Sequence, residues 1–332
     1  MAVYTDVTLS DLKSFLGEYD VGIVSSYEGI AQGQENTNYH LRVKKNGQRQ
    51  LTNYILTIFE RRVRSEDLPF FLDLMEHLAN HNIPCPRPIK SNEGHPIGEL
   101  KGKPAAILSF VPGLSVEIGS SSECSALGEA LANLHLNAYG FPQKRPNNMS
   151  LNEWRRLLEE SKKVIHSNQP ETLYMVEKEL DYLENFWPKK LPFGLIHADL
   201  FPDNVFFRDN MVSGLIDFYF ACNDFLSYDL SICLNAWCFE SNGKYNNQKG
   251  HSLLKAYNTI RPLNHEEYNA LPILARGSAL RFVLTRLYDK IYNNFHTSIR
   301  PKDPSEFLSR LTFHQRVQRP EVYGLEEKYI IR

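Results

Sequence analysis

The feature that most limits what this chain can fold into is a change of hydrophobic period at Pro112-Gly113. Before it, between Val21 and Phe59, apolar residues fall in short alternating or β-rich runs, GIVSSYEG, NYHLRVKK and QLTNYILTIFE, parted by GIAQGQE and NGQ. A period of two broken by Gly- and Asn-bearing turns is the pattern of antiparallel strands. Two helical patterns flank the runs. One is capped by Thr8 or Ser10 and sets Leu9, Leu12, Phe15 and Leu16 at helical spacing. The other runs from Asp67 to Asn82 through Phe71, Leu74, Met75 and Leu78, until Pro84, Pro86 and Pro88 force an extended exit. PAAILSFVPG reads as a further strand. After the break, long helical stretches dominate: SALGEALANLHLN, NEWRRLLEESKKVI and MVEKELDYLENFW. Two short β-like runs among them, FGLIHAD and VSGLIDFYF, give a small β hairpin. The expected class is α+β in two lobes, with residues 1–110 a sheet lobe bearing one long helix and residues 111–332 larger and mainly helical.

The 332 residues suffice for two cores. The 37 basic and 39 acidic residues leave a net charge of −2, which provides no broad cationic field for a nucleic acid. No apolar run approaches the roughly 20 residues of a membrane span, and MAVYTDVTLSD has neither the basic start nor the apolar core of a secretion signal. A cytoplasmic protein with no nucleic-acid or membrane partner is therefore expected. The five cysteines include no CxxC pair, so buried thiols are expected rather than a disulfide framework or a zinc site.

The densest polar cluster is His197-Ala198-Asp199-Leu200-Phe201-Pro202-Asp203-Asn204, followed by an apolar run and then Leu215-Ile216-Asp217-Phe218. A carboxylate at the end of one strand, an amide five residues on and a second carboxylate at the end of the next strand can converge on one point. Phosphoryl transfer uses such a set: one carboxylate takes or orients the nucleophile's proton, while an amide oxygen and another carboxylate are hard ligands for Mg²⁺ on the phosphates. The structural alternative is a pair of capped strand ends, with Asp199 and Asp217 satisfying turn N–H groups. His-x-Asp-x(4)-Asn joined to Ile-Asp-Phe is far more specific than either carboxylate alone.

On these residues the chain resembles the kinase-like superfamily of aminoglycoside and choline phosphotransferases, and within it the bacterial homoserine kinases. The likeness covers MAVYTDVT, GIAQGQENTNY, YILTIFE, IHADLFPDNVFF, GLIDFYFACNDFLSYDLSICLNAWCF, ARGSALRFVLTRLYD and the late KDP. The FYFAC, NAWC, RGSALRFVLTRLYD and KDP stretches look like homoserine kinases in particular. The resemblance implies a protein-kinase-like bilobal fold whose first lobe binds the nucleotide. It implies ATP and Mg²⁺, and transfer to the hydroxyl of L-homoserine, giving O-phospho-L-homoserine on the way to threonine. It makes Asp199 the catalytic base, Asn204 and Asp217 the Mg²⁺ ligands, and His197 and Asp229 supports of the catalytic loop. Gly29, Gly33, Asn36, Thr37 and Asn38 become the phosphate loop, with adenine paired to backbone around Ser109 and Val111. A P-loop is absent. One departure stands out: the superfamily's strand lysine falls near Thr57, and its helix glutamate near Leu72 or Asp73.

Homoserine is a zwitterion, so its site needs a cation for the carboxylate. On the helix expected from about 273 to 290, Arg276 falls inside the apolar stripe of Leu280, Val283, Leu284 and Leu287, and Arg281 falls on its border. Arginines there either line a cavity or form buried ion pairs. Arg281 is the first candidate for the carboxylate and Arg276 the second. Arg286 is expected in a surface pair with Asp289, and Asp203 as a solvated loop charge. Asn235, Trp237 and Tyr219 fit either an acceptor cavity or core packing. Two other functions stay open. One is a kinase of another small alcohol such as choline, methylthioribose or an aminoglycoside, although a polycation would want an acidic acceptor site. The other is a non-catalytic nucleotide-binding relative, against which the intact Asp199, Asn204 and Asp217 argue.

Overall fold

Thr8 opens the first helix. Its hydroxyl accepts the Asp11 N–H at 3.2 Å while Asp11 Oδ2 accepts the Thr8 N–H at 2.9 Å, so two donors that no helical carbonyl can reach are met reciprocally. In the computed structural model, which describes residues 4–31, 36–45, 47, 50–60, 64–165, 170–292 and 302–330, the chain divides into Met1–Pro112 and Gly113–Arg332.

The first unit contains α1 (Leu9–Leu16), β1 (Ile23–Gly29), β2 (Thr37–Lys44), β3 (Thr52–Ile58), α2 (Leu68–Asn80), β4 (Pro88–Ile89), β5 (Gly98–Leu100) and β6 (Lys103–Ser109). The strands form one antiparallel sheet in the order β1-β2-β3-β6-β4, with β5 also on β6. Alternation sorts the side chains. Tyr39, Leu41 and Val43 of β2, Leu56 and Ile58 of β3 and Ile107 of β6 face Leu12, Phe15 and Leu16 of α1. Burying each such side chain contributes about 1.5–3 kcal/mol. Thr57 and Asn38, one residue out of step, face the other way, and the Thr57 hydroxyl donates to Asn38 Oδ1 at 2.7 Å.

The second unit runs through α3 (Ser121–Asn137), α4 (Leu151–Ile165), α5 (Pro170–Phe186), β7 (Phe193–Ile196), β8 (Val205–Arg208), β9 (Met211–Leu215), β10 (Cys222–Phe225), α6 (Leu226–Trp237), α7 (Asn247–Ile260), α8 (His265–Tyr292) and α9 (Ser305–Gln315). Its main core joins Trp154, Leu157, Val176, Leu180, Ile196, Tyr228, Leu280, Val283, Leu284 and Phe307. The expected hairpin is resolved differently. FGLIHAD supplies β7, which pairs with β10, and VSGLIDFYF supplies β9, which pairs with β8 across a two-residue turn at Asp209 (φ 52°) and Asn210 (φ 62°). Positive φ at both turn residues is the type I′ geometry that short-side-chain amides and acids tolerate. The helix expected from about 273 begins at His265 and carries Pro272 inside it, a lost hydrogen bond that packing of α8 against α4, α6 and α9 outweighs. All five cysteines are buried and free. Among the described residues no helix is long and apolar enough to cross a membrane.

Candidate active site

β7 delivers the chain into a loop, His197–Asn204, that ends in a short 3₁₀ turn at Pro202–Asn204. Ala198 holds φ 65°. That left-handed conformation costs a residue with a Cβ about 1–2 kcal/mol, so neighbours must enforce it. Asp229 of α6 does so, with Oδ2 accepting the His197 N–H at 2.8 Å and Oδ1 the Ala198 N–H at 2.9 Å. From α8, Arg281 Nη1 donates to the Ala198 carbonyl at 2.7 Å, and Trp237 Nε1 at the end of α6 donates to the Leu200 carbonyl at 2.8 Å. Phe201 packs on Phe282 and Phe307, with ring centroids 4.8 and 6.0 Å away.

The loop brings the expected residues together. Asn204 Nδ2 donates to the Asp199 carbonyl at 2.8 Å and to Asp199 Oδ2 at 3.1 Å. The Ile216 N–H donates to the Asn204 carbonyl at 3.0 Å, which sets Asp217 beside Asn204 on the adjoining strand end. Asp217 is itself left-handed, at φ 64° and ψ 60°. His197 ties the same two segments, its Nε2 donating to the Ile216 carbonyl at 3.0 Å. Burial pushes its pKa down to about 4, so the imidazole is neutral near pH 7 and acts as a fixed hydrogen-bond donor rather than a proton carrier. The hydrogen-bond network turns the Asn204 amide nitrogen toward Asp199, which leaves its side-chain oxygen as the acceptor end of the amide. Amide oxygen and carboxylate oxygen are the donor types a hard divalent cation takes, and a Mg²⁺ ion held by two protein ligands and phosphate oxygens needs no more. These residue types therefore fit a hard divalent cation. Among the described residues no group of three His, Cys, Asp or Glu side chains is placed to hold a metal ion.

The sequence reading missed the support behind Asp229. His135, on the buried stripe of α3, places Nε2 at 3.1 Å from Asp229 Oδ2 and Nδ1 at 2.7 Å from the Tyr257 hydroxyl. Arg261 Nη1 reaches that hydroxyl at 3.2 Å and pairs with Glu267 at 2.9 Å. Burial pushes the Asp229 carboxyl up, but the hydrogen bonds from His135 and the His197 N–H outweigh it and hold Asp229 below the usual carboxylate range. Burial lowers His135 as well. Neutral His135 thus donates from Nε2 to an ionised Asp229 and accepts from Tyr257. The available signal was a histidine four residues after Leu131 on the apolar face of SALGEALANLHLN.

The two expected acceptor arginines are both engaged by the protein. Arg276 is gripped bidentately by Glu179, Nε at 2.6 Å and Nη2 at 2.7 Å, and lies over the Tyr182 ring. Arg281 is 2 % exposed, stacked 4.6 Å from the Phe282 centroid, and forms no ion pair among the described residues. Arg286 is a correction. It is buried rather than at the surface, because α9 covers that side of α8, and it donates to Glu306 at 2.6 Å and to the Asp303 carbonyl at 2.8 Å. Asn235 lies in a buried network, accepting from His314 Nε2 at 3.1 Å and donating to Ser278 Oγ at 2.7 Å.

In the first unit, Gly29 ends β1 and Gly33 lies outside the described residues. Asn36 Oδ1 accepts the Glu60 N–H at 3.3 Å, and Asn38 Oδ1 accepts from Thr57. Thr37 points to the α1 face, where its hydroxyl accepts the Tyr4 and Thr5 N–H groups at 2.9 and 3.2 Å and donates to Glu60 Oε1 at 2.8 Å. Lys103 pairs with Glu60 on that same face, so this Lys–Glu pair is not a replacement for the missing strand lysine at Thr57. Ser109 ends β6, its N–H donating to the Arg87 carbonyl and its hydroxyl oxygen accepting the Arg87 N–H, both at 2.8 Å, and Val111 is buried.

Residues 26–263 match the model of the phosphotransferase enzyme family. Curated relatives include homoserine kinases of Rhizobium etli (strain CIAT 652), 50 % identical over 98 % of this chain and 99 % of the relative, and of Brucella canis, 47 % identical over 98 % of each. Among solved structures, a spectinomycin phosphotransferase superposes with TM-score 0.66 at 13 % identity, over 98 % of this chain and all of that one. A choline kinase of Cryptosporidium parvum does so with TM-score 0.63 at 16 % identity, over 88 % of each. With its Asp199, Asn204 and Asp217 gathered at two strand ends, the chain belongs to the phosphotransferase enzyme family and has its kinase-like fold.

Proposed function

We infer that the protein is a homoserine kinase, an ATP-dependent phosphotransferase acting on the hydroxyl of L-homoserine. The observation that carries this is the near-full-length likeness to homoserine kinases together with an intact Asp199–Asn204–Asp217 set. In this reading Asp199 orients the hydroxyl and takes its proton as the phosphoryl group moves. The transition state is loose and asks for little base strength, so position matters more than pKa, and the Asn204 amide on Asp199 Oδ2 sets that position. Asn204 Oδ1 and Asp217 would hold Mg²⁺, which supplies charge neutralisation on the phosphates. Asp229, His197 and Trp237 keep the loop in its left-handed turn, so no reorganisation is needed at the moment of transfer. Gly29, Gly33, the amide nitrogens of Asn36 and Asn38, and the backbone near Ser109 and Val111 are proposed to bind ATP, while Thr37 serves the fold. A coupled ADP-release assay across L-homoserine, choline, methylthioribose and an aminoglycoside tests the reading. Homoserine should give the highest kcat/KM, and a higher value for any other acceptor would overturn the assignment.

A further inference from the structure

The acceptor's amino-acid end needs a cation for its carboxylate and an anion for its ammonium, and this inference rests on the homoserine reading above. A side chain as enclosed as Arg281 presents no donor to a ligand arriving from solvent, and the fork of Arg276 is filled by Glu179. A cation that is open and beside the catalytic loop is Lys302. Its Nζ lies 3.5 Å from Asp203 Oδ2 and 5.6 Å from the Phe201 centroid, and both residues stand between Asp199 and Asn204. The two charged side chains are 47 % and 65 % exposed. An ion pair that open is weak and is readily parted by a ligand offering both charges.

The backbone beneath Lys302 is held firmly. Arg286 Nη1 clamps the Asp303 carbonyl at 2.8 Å, and Asp303 Oδ1 accepts the Ser305 N–H at 3.0 Å at the start of α9. Arg286 and Arg310 both lie 4.4 Å from the Phe307 centroid and share the single carboxylate of Glu306. Arg310 Nη1 is buried with no hydrogen-bond partner among the described residues. The carboxylates of Glu306 and Asp303 together balance these two guanidinium groups, so the charge open to an incoming anion is that of Lys302 itself.

We propose that Lys302 and Asp203 read the zwitterion of the acceptor, the Lys302 ammonium taking the α-carboxylate and the Asp203 carboxylate taking the α-ammonium. The catalytic loop then carries the amino-acid handle and the hydroxyl site on one short segment.

The test compares L-homoserine with 3-amino-1-propanol, which lacks the carboxylate, and 4-hydroxybutanoate, which lacks the ammonium, in wild type, Lys302→Met, Lys302→Arg and Asp203→Asn. Lys302→Met should lower the preference for homoserine over 3-amino-1-propanol about tenfold or more, chiefly through KM, and Lys302→Arg should recover most of it. Asp203→Asn should lower the preference over 4-hydroxybutanoate in the same way, with the KM for ATP and the melting temperature unmoved in all three variants. Equal losses on all acceptors, or unchanged preferences with an active wild type, would overturn this pair alone. A wild type that ignores homoserine while phosphorylating another alcohol would overturn the parent reading and the pair with it.

Discussion

Asp229 accepts the Ala198 N–H at 2.9 Å while Ala198 holds φ 65°, so a buried carboxylate on α6 enforces the turn that presents Asp199. His135 in turn donates to Asp229 at 3.1 Å. The geometry of the His197–Asn204 loop is thus maintained from behind, by buried groups.

Removing that support should slow chemistry more than it weakens nucleotide binding. Asp229→Asn replaces an acceptor with an amide that cannot take both N–H groups, and leaving a buried donor unmet costs about 1–3 kcal/mol. A fall in kcat of at least about tenfold is expected, with the KM for ATP little changed. His135→Gln, which keeps a donor near the Nε2 position, should retain more kcat than His135→Leu. Equal activity of the two His135 variants would show that the hydrogen bond plays no part.

Asp199→Asn should lower kcat by orders of magnitude while ATP still binds, because the hydroxyl loses its orienting acceptor. Retention of more than about a tenth of wild-type kcat, a loss below ~1.4 kcal/mol, would withdraw the base assignment. Single-turnover rates and nucleotide binding by calorimetry give the two readouts.

Asn204 and Asp217 should act as a unit toward the metal. Asp217→Ala is expected to abolish Mg²⁺-dependent turnover, and Asn204→Ala to raise the Mg²⁺ concentration for half-maximal rate. Superimposable Mg²⁺ titrations for wild type and Asn204→Ala would remove Asn204 from the ligand set.

Arg281→Lys should impair every acceptor alike. The lysine keeps the charge but loses the planar fork that meets the Ala198 carbonyl while stacking on Phe282, so the defect lies in the loop and the fold. A lower melting temperature without substrate should accompany it. A loss confined to homoserine, sparing 3-amino-1-propanol, would return Arg281 to the carboxylate site.

Stability should decline as pH falls below neutrality. Burial holds His197 near 4 and His314 near 3 in the folded chain, against an ordinary value of 6.5. Both stay neutral while folded and take a proton on unfolding, so their contribution is complete above 6.5 and is lost as pH falls toward 4. Each contributes a slope of about 1.4 kcal/mol per pH unit in that window. Urea midpoints at pH 7 and pH 5 measure it. A flat profile would mean that these rings are protonated in the folded state.

What the sequence by itself determined was whatever depends on neighbours along the chain. The Thr8 cap, the strands of the first unit, the period change at Pro112-Gly113 and the spacing of Asp199, Asn204 and Asp217 are local, because backbone hydrogen bonding and side-chain periodicity act over a few residues. β8 and β10, four residues each, are too short to carry a period of their own, so which short runs pair was not legible. Charged side chains were less legible still. A guanidinium on an apolar stripe must find a partner, but helix periodicity leaves open which one. Tertiary packing gave Arg276 to Glu179, 97 residues away, Arg281 to the Ala198 carbonyl, 83 away, and His135 to Asp229, 94 away. Burial makes an unpaired charge or donor expensive, so the packing of α3, α5, α6, α8 and α9 decided which polar groups brace the fold and which, like Lys302 and Asp203, stay open beside the catalytic loop.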